Sequence, residues 1–135
     1  MLTADDLARY VDAFNRGDDA AYGAFYAPDV QFRNGGGTAL VGRDAILAHY
    51  RGMRERIDRV MCLRAVSVGE HALAAALAST FVAKVDGVAL AGETLVRGDQ
   101  LELESMALYE VANDRFVRVE ATTIAHKVLR QGAAA

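Results

Sequence analysis

The sequence is poor in the residues that most often build covalent cross-links and metal sites. Cys62 is the single cysteine, so the chain can form neither an internal disulfide nor a metal site built on several cysteines. The three histidines, His49, His71 and His126, are scattered, and their spacing does not require a metal ion. Neither a Ser–His–Asp set nor a Cys–His set stands out. We therefore expect no metal and no cofactor.

Long apolar runs and clusters of basic residues are also missing. No apolar run reaches the roughly 18 residues of a membrane helix, and residues 1–6 lack the apolar core of a signal peptide. The net charge is -3, and Glu55 interrupts the densest group of arginines, Arg51, Arg54 and Arg56. A nucleic-acid interface usually carries a basic face. We expect a cytoplasmic protein with neither a nucleic-acid nor a membrane partner.

What the chain does contain is enough apolar material for one core. Hydrophobic residues make up 53% of the 135 residues, and charged residues make up 24%, which argues against a disordered chain. The length suits one domain. We predict a single domain over residues 1–127, followed by a frayed tail over residues 128–135.

Helical periodicity is confined to the first part of the chain. Thr3 is a capping residue for a first helix, which Gly17 ends. A second, short helix is predicted from Asp18 or its neighbour to Tyr26, and a third over residues 43–56.

Apolar residues alternate with a period of two in the rest of the chain, which is typical of strands. Asp86-Gly87 is a tight-turn signal. Helices on one side of such an antiparallel sheet define an α+β fold, and the hollow between the two layers is a common ligand site. The predicted strands cover residues 30–33, 60–68, 72–85, 88–96, 101–111 and 116–125.

Five short motifs follow one another along the first 50 residues. They read Ala-Arg-Tyr at 8–10, Asn-Arg-Gly-Asp at 15–18, Tyr-Ala-Pro-Asp-Val at 26–30, Gly-Arg-Asp-Ala-Ile at 42–46 and His-Tyr at 49–50. In order and spacing they resemble the SnoaL-like and ketosteroid isomerase-like branch of the nuclear transport factor 2-like superfamily. The resemblance covers roughly residues 3–127.

The resemblance implies a cone-shaped, cystatin-like α+β fold. Three N-terminal helices would pack against a curved, mostly antiparallel sheet, around a deep pocket in a protein that is frequently dimeric. Members of the superfamily include isomerases, cyclases, dehydratases, epoxide hydrolases and non-enzymatic binders, so the fold does not fix the function.

The resemblance also implies a group of tyrosines in the pocket. This sequence, however, lacks the two aspartic acids that the isomerases use. Tyr10 falls on the position of the isomerases' oxyanion donor, and Tyr26 and Tyr50 match two further tyrosines of that network. The isomerases' basic aspartate is replaced by Asn34, and their second, protonated aspartic acid by Met106. An amide accepts no proton at neutral pH and a thioether has none to donate, so standard steroid isomerisation is rejected.

Two other activities of the superfamily also lack their residues. Epoxide hydrolases need an Asp–Arg–Asp set, and SnoaL-like cyclases use an acid on the last strand. Here the last-strand position is Ala121, and residues 76–80 contain neither Arg nor Asp. Asn34 is compatible with the hydrolases' water-holding asparagine, or it is simply a turn residue before three glycines.

The strand at residues 101–111 supports two opposite orientations. The resemblance turns Met106, and with it Glu104, toward the pocket, whereas the hydrophobic pattern buries the opposite face, which carries Leu101 and Leu103. Both hold if the leucine face packs against a second subunit. Glu104 is then the one evident carboxylate in the hollow and the candidate base; otherwise it is a solvated strand residue.

These residues together predict a homodimeric protein that binds or transforms a small, apolar, oxygen-bearing molecule. Tyr10 would donate to the ligand's oxygen, Asn34 would hold a polar group or water, and Glu104 would act as base in an isomerase, lyase or cyclase. The alternative is a non-catalytic ligand-binding, dimerisation or partner-binding module whose interface is the apolar outer sheet face. The residues expected to contact the ligand are Tyr26, Tyr50, Met106, Leu108, Val119 and Ala121.

Overall fold

Three helices occupy the N-terminal part of the chain in the computed structural model, which describes residues 1–132. The helices are α1 (Ala4–Asn15), α2 (Asp19–Gly23) and α3 (Arg43–Arg54). The Thr3 hydroxyl accepts a hydrogen bond from the Asp6 amide, and the Asp6 carboxylate accepts one from the Thr3 amide. This reciprocal capping fixes the start of α1. No helix within residues 1–132 is long and apolar enough to cross a membrane.

Eight strands follow or separate the helices in the part of the chain that the structure describes. Six form one sheet in the order β2–β1–β8–β7–β4–β3, in which only the β1–β8 pair is parallel. The other two, β5 and β6, form a separate antiparallel ribbon. In chain order the strands are β1 (Tyr26–Arg33), β2 (Ala39–Val41), β3 (Ile57–Val68), β4 (Ala72–Ala83), β5 (Val88–Leu90), β6 (Glu93–Leu95), β7 (Gln100–Ala112) and β8 (Arg115–Leu129).

The predicted architecture is confirmed. Three N-terminal helices pack on one face of a curved, mostly antiparallel sheet, and the main core lies between these two layers. Leu7 and Phe14 of α1 contribute to this core from the helical side, and Leu73 and Leu77 of β4 from the sheet. The fold is therefore α+β.

Several segments differ from the sequence-based prediction: β2 was not predicted, and β1 and β3 begin earlier than expected. Helix α2 ends at Gly23, because Tyr26 already begins β1. The predicted strand over residues 88–96 is divided into β5 and β6 by a tight turn. Ala91 and Gly92, with φ angles of 52° and 78°, occupy the left-handed region that such two-residue hairpins require.

The chain after residue 127 is held in place as far as the structure describes it. Strand β8 continues through Leu129, two residues into the predicted frayed tail, and the next two residues bind one buried carboxylate. The Asp99 side chain accepts hydrogen bonds from the guanidinium of Arg130 at 3.1 Å and from the amide of Gln131 at 2.8 Å. Residues 133–135 of the predicted tail lie outside the described residues.

Candidate functional site

A cavity of about 580 Å³ lies between the helices and the inner face of the sheet. Its walls come from α1, α3 and the sheet, with the apolar side chains of Phe14, Met61 and Leu77 among them. Exposed residues at two places also line it, namely Gly35 in the loop after β1 and Gly92 in the β5–β6 ribbon. The loop and the ribbon therefore border its open side.

Tyr10 of α1 presents a protonated phenol to the cavity. Burial raises the pKa of Tyr10 well above its ordinary value, so the hydroxyl keeps its proton at neutral pH. The hydroxyls of Tyr10 and Tyr26 share a buried hydrogen bond of 2.5 Å. Tyr10 lines the cavity, whereas Tyr26 is fully buried behind it and does not line the wall. Tyr26 can therefore influence a bound molecule only through Tyr10.

The ring of Tyr10 is held by other aromatic side chains. Phe25, Tyr26, Tyr109 and Phe116 pack edge-on against it, with ring centroids 5.2 to 6.0 Å away. Edge-to-face packing of this kind fixes the direction of the phenol. The hydroxyl position is thus set before any ligand arrives.

Two further phenols lie on the cavity wall, one of which the sequence prediction missed. Tyr50 of α3 is where the resemblance placed it, with its ring 4.9 Å from that of Phe14. Tyr109 of β7 also lines the cavity, and burial raises its pKa. Tyr109 lies on the same face of β7 as the leucines, and the prediction had oriented that face away from the pocket.

Asn34 lies on the cavity wall, but its side-chain oxygen is already used. That oxygen accepts hydrogen bonds from the amides of Gly36 and Thr38, both at 3.0 Å. The backbone of Asn34 also pairs with Thr38 and Gly37. These bonds form the turn that follows β1. Only the side-chain NH₂ group of Asn34 is left to contact a ligand.

The orientation predicted for Glu104, Met106 and Leu108 is wrong. All three side chains point out of the sheet on the face opposite the cavity, and Met106 and Leu108 are each 42% exposed. Glu104 is exposed and lies 4.0 Å from the guanidinium of Arg64. Glu104 therefore cannot act as a base on a molecule inside the cavity.

The orientation of these β7 residues was predicted wrongly because the position in the strand was miscounted by one residue. Side chains alternate between the two faces, so a shift by one residue moves a whole set to the other side. Pairing of β7 with β8 shifts between Glu104 and Ser105 and again between Glu110 and Val111, which defeats counting back from the turn. The inward residues are Leu103, Ser105, Ala107 and Tyr109.

Val119 and Ala121 of β8 lie on the cavity wall, as the sequence predicted. Val119 is buried, and Ala121 packs against the main core. Their small side chains leave room beside the larger rings. They form an apolar part of the wall.

Sequence reasoning also missed a cation inside the cavity. Arg59 lies on the inner face of β3, between Ile57 and Met61, and lines the cavity. Its guanidinium carbon lies 4.8 Å from the ring centre of Phe81 and 5.4 Å from that of Phe14. The usable signal was its place in an alternating apolar set, where a charged side chain is unusual.

His49 of α3 completes the polar part of the wall. Its Nε2 atom is buried and has no hydrogen-bond partner within residues 1–132. Burial lowers the pKa of His49, and the charge of Arg59 lowers it further. The imidazole is therefore neutral at pH 7. Within the same described residues, no cluster of three or more His, Cys, Asp or Glu is placed to hold a metal ion.

Comparison with known proteins identifies the family and the fold. The model of the SnoaL-like domain family matches residues 7–119. No curated protein matches the chain.

Solved structures match over most of their length. A proposed polyketide cyclase of Pseudomonas putida is 22% identical with a TM-score of 0.76, covering 93% of this chain and 92% of its own. Another, from Xanthomonas campestris, is 24% identical with a TM-score of 0.72, covering 86% and 85%. A Catenulispora acidiphila protein with a ketosteroid isomerase-like fold, in complex with trimethylamine, is 11% identical with a TM-score of 0.71, covering 89% and 85%. These likenesses show the fold.

Proposed function

Since the chain belongs to the SnoaL-like family, we propose that its cavity binds a small, largely apolar molecule that carries an oxygen acceptor. The observation that carries the proposal is the protonated phenol of Tyr10 on the cavity wall, held by Tyr26. When Tyr26 donates to the Tyr10 oxygen, the proton of Tyr10 is free to donate to a ligand. A fixed donor in an otherwise apolar cavity selects a molecule by the position of its oxygen.

The size and the lining of the cavity support this ligand class. A volume of about 580 Å³ lies within the range of small-molecule sites. Two similar structures bear the name of proposed polyketide cyclases, and a polyketide is a carbon skeleton with oxygen substituents. The apolar side chains of Phe14, Met61 and Val119 would contact the skeleton, and Tyr10 an oxygen.

In our proposal, His49 is the residue that accepts a proton in any reaction in this cavity. Glu104 faces outward, and Glu93, the one carboxylate of residues 1–132 on the cavity wall, is paired with His126 and Arg130. A neutral, partly buried imidazole can accept a proton near neutral pH. An isomerase, lyase or cyclase reaction would then combine His49 as base with Tyr10 as donor to the developing oxyanion.

The experiment uses two uncharged probes that differ at one oxygen, 2-acetylnaphthalene and 2-ethylnaphthalene. We expect the wild-type protein to bind the ketone more tightly, because only the ketone accepts a hydrogen bond from Tyr10. A net hydrogen bond of about 0.5–1.5 kcal/mol corresponds to a preference of roughly three- to tenfold. Tyr10→Phe should abolish that preference in calorimetric titrations.

Tyr22→Phe is the matched control. Tyr22 is fully buried and its ring centroid is 6.5 Å from that of Tyr10, but it does not line the cavity. This variant should keep the wild-type preference for the ketone. Equal binding of the two probes by the wild-type protein would refute the role given to Tyr10, and binding of neither would refute the ligand class.

We also propose that two copies of the chain pair through the outer face of the sheet. Ile124 is 59% exposed on this face, and Met106 and Leu108 on the neighbouring strand are each 42% exposed; Val60, also 59% exposed, lies on the edge strand opposite Thr80. On the same face, β4 presents the small side chains of Ala74, Ala76 and Ala78, followed by Thr80. Exposed apolar side chains over a flat row of alanines form a surface that a second sheet can cover.

A further inference from the structure

Arg59 is a cation on the cavity wall that lacks a counter-ion within the described part of the chain, residues 1–132. Its Nη2 donates to the hydroxyl of buried Ser79 at 3.3 Å, but its Nε is buried and has no hydrogen-bond partner within residues 1–132. Arg59 forms no ion pair with a carboxylate in that part of the chain. The preceding residue, Asp58, points to the other face of β3 and pairs with Lys84.

The environment of Arg59 holds its guanidinium in place without neutralising it. Phe14 and Phe81 lie on either side at cation–π distances, which orients the planar group and supplies part of its lost hydration. A guanidinium has five N–H donors, and its contacts with the hydroxyls of Ser79 and Tyr50 leave some of them free. A partly buried charge in this state is costly unless a further partner arrives.

The charge of Arg59 acts on the interior of the cavity. It lowers the pKa of His49 and opposes the upward shift that burial causes at Tyr10, Tyr50 and Tyr109, all four of which line the same cavity. The unpartnered Nε2 of His49 adds a second polar atom without a bond. The guanidinium N–H that has no partner within residues 1–132 is necessarily a donor, so Arg59 indicates a missing acceptor.

We propose that the ligand carries a carboxylate, which Arg59 binds through its two-pronged guanidinium. This assignment rests on the proposed function, because it names the charge of the molecule that the cavity binds. Arg–carboxylate pairs of this geometry are strong and directional. The acid end lies at Arg59, between α1 and β3, and the neutral oxygen of the same molecule lies at Tyr10.

The experiment compares 2-naphthoate with 2-naphthamide, which match in shape and differ in charge. We expect the wild-type protein to bind 2-naphthoate on the order of 10- to 100-fold more tightly, as suits a charge-assisted pair. Arg59→Gln should remove most of this preference and leave the affinity for 2-naphthamide within about twofold. Calorimetric titrations of both proteins at pH 7 give the four dissociation constants.

Arg33→Gln is the control for loss of one positive charge, because Arg33 is exposed on the outward side of β1. It should keep the preference for 2-naphthoate. If Arg59→Gln does not fold, Arg59→Lys replaces it; the lysine keeps the charge but lacks the fork, and should lower the affinity for 2-naphthoate at least fivefold while sparing 2-naphthamide.

The outcomes separate the two proposals. Equal binding of 2-naphthoate and 2-naphthamide by the wild-type protein, or a preference that persists without Arg59, overturns the carboxylate site. The uncharged 2-acetylnaphthalene reports on the cavity itself, so its binding shows that the proposed function stands even when the carboxylate site fails. If none of the three compounds binds, both proposals are wrong.

Discussion

At the scale of single residues, Arg59 is the side chain whose surroundings are least explained by stability. Its guanidinium gains two aromatic contacts and one hydrogen bond to Ser79, but it has no carboxylate partner within residues 1–132. Sites built for binding often retain groups that a folded chain alone would not select. In our proposal, Arg59 is such a group.

Replacing Arg59 by methionine should therefore stabilise the ligand-free protein. Methionine fills similar space between Phe14 and Phe81 and carries no charge to desolvate. We expect a rise in melting temperature of a few degrees, on the order of 1 kcal/mol for a domain of this size. Differential scanning calorimetry measures the change, and a lower melting temperature would show that Arg59 stabilises the fold.

The residues that the sequence could place are those whose neighbours lie close in the chain. Helical spacing from Leu7 put Tyr10 on an apolar face, the family resemblance put it in the pocket, and the alternation of β8 indicated Val119 and Ala121; all three line the cavity. Arg59 received no role, because the predicted strand began at residue 60 and left out the alternation of Ile57, Arg59 and Met61 that β3 shows.

At the scale of elements, β7 shows how two kinds of evidence can conflict. The hydrophobic pattern favoured burial of the leucine face, and the structure buries Leu101 and Tyr109 on the inner side. The family resemblance, transferred by counting, pointed Met106 inward. Counting fails where a strand carries bulges, whereas the pattern reflects burial directly.

The element that the sequence least anticipated is the end of β8. Asp99 accepts hydrogen bonds from the amide of Val96 at 3.0 Å as well as from Arg130 and Gln131, and Arg130 also binds the carbonyl of Thr94 at 2.8 Å. One carboxylate thus joins the end of β6, the turn before β7 and the residues after β8. No local pattern indicates a contact between positions more than thirty residues apart.

Asp99→Asn should loosen this junction and change the response to acid. Hydrogen bonds from Gln131 and Val96, and the Arg130 charge, lower the pKa of Asp99. Its contribution to stability is therefore complete above the ordinary aspartate pKa and is lost as the pH falls through the lowered value. The variant should melt at a lower temperature at pH 7, with a smaller further loss between about pH 4 and pH 2.

Thermal melts of wild type and variant from pH 7 to pH 2 test this. Asp29→Asn is the control, because Asp29 is exposed on β1 and should leave the melting temperature and its pH dependence unchanged. Parallel curves for wild type and Asp99→Asn would mean that the Asp99 carboxylate contributes nothing through its charge.

At the scale of the whole molecule, the order of elements was the most reliable information in the sequence. Three capped or periodic helices, followed by alternating strands, were sufficient for the α+β layers, and the family came from the resemblance of five short motifs in the first 50 residues. The partners of individual strands were not, because nothing local states that β1 lies beside β8 or that β5 and β6 leave the main sheet. Local periodicity fixes elements, and long-range pairing fixes their positions.

The proposed dimer makes a prediction at this same scale. Leu108→Asp places a charge in the middle of the outer sheet face and should convert a dimer into a monomer, because an unpaired carboxylate is costly to bury. Val41→Asp is the control, since Val41 is 73% exposed on β2 at the edge of the sheet. Sedimentation velocity distinguishes the species, and a wild-type protein that sediments as a monomer at micromolar concentration would contradict the proposal.

The parallel pairing of β1 with β8 has a consequence for how the chain acquires its structure. Tyr26 pairs with Phe116 and Phe32 with Val119, so contacts that complete the core join residues about ninety positions apart. A nascent chain that has emerged only as far as β7 leaves the first strand without its inner neighbour. High contact order of this kind predicts slow folding, in milliseconds to seconds, and an interval in which chaperones can recognise the uncovered aromatic rings.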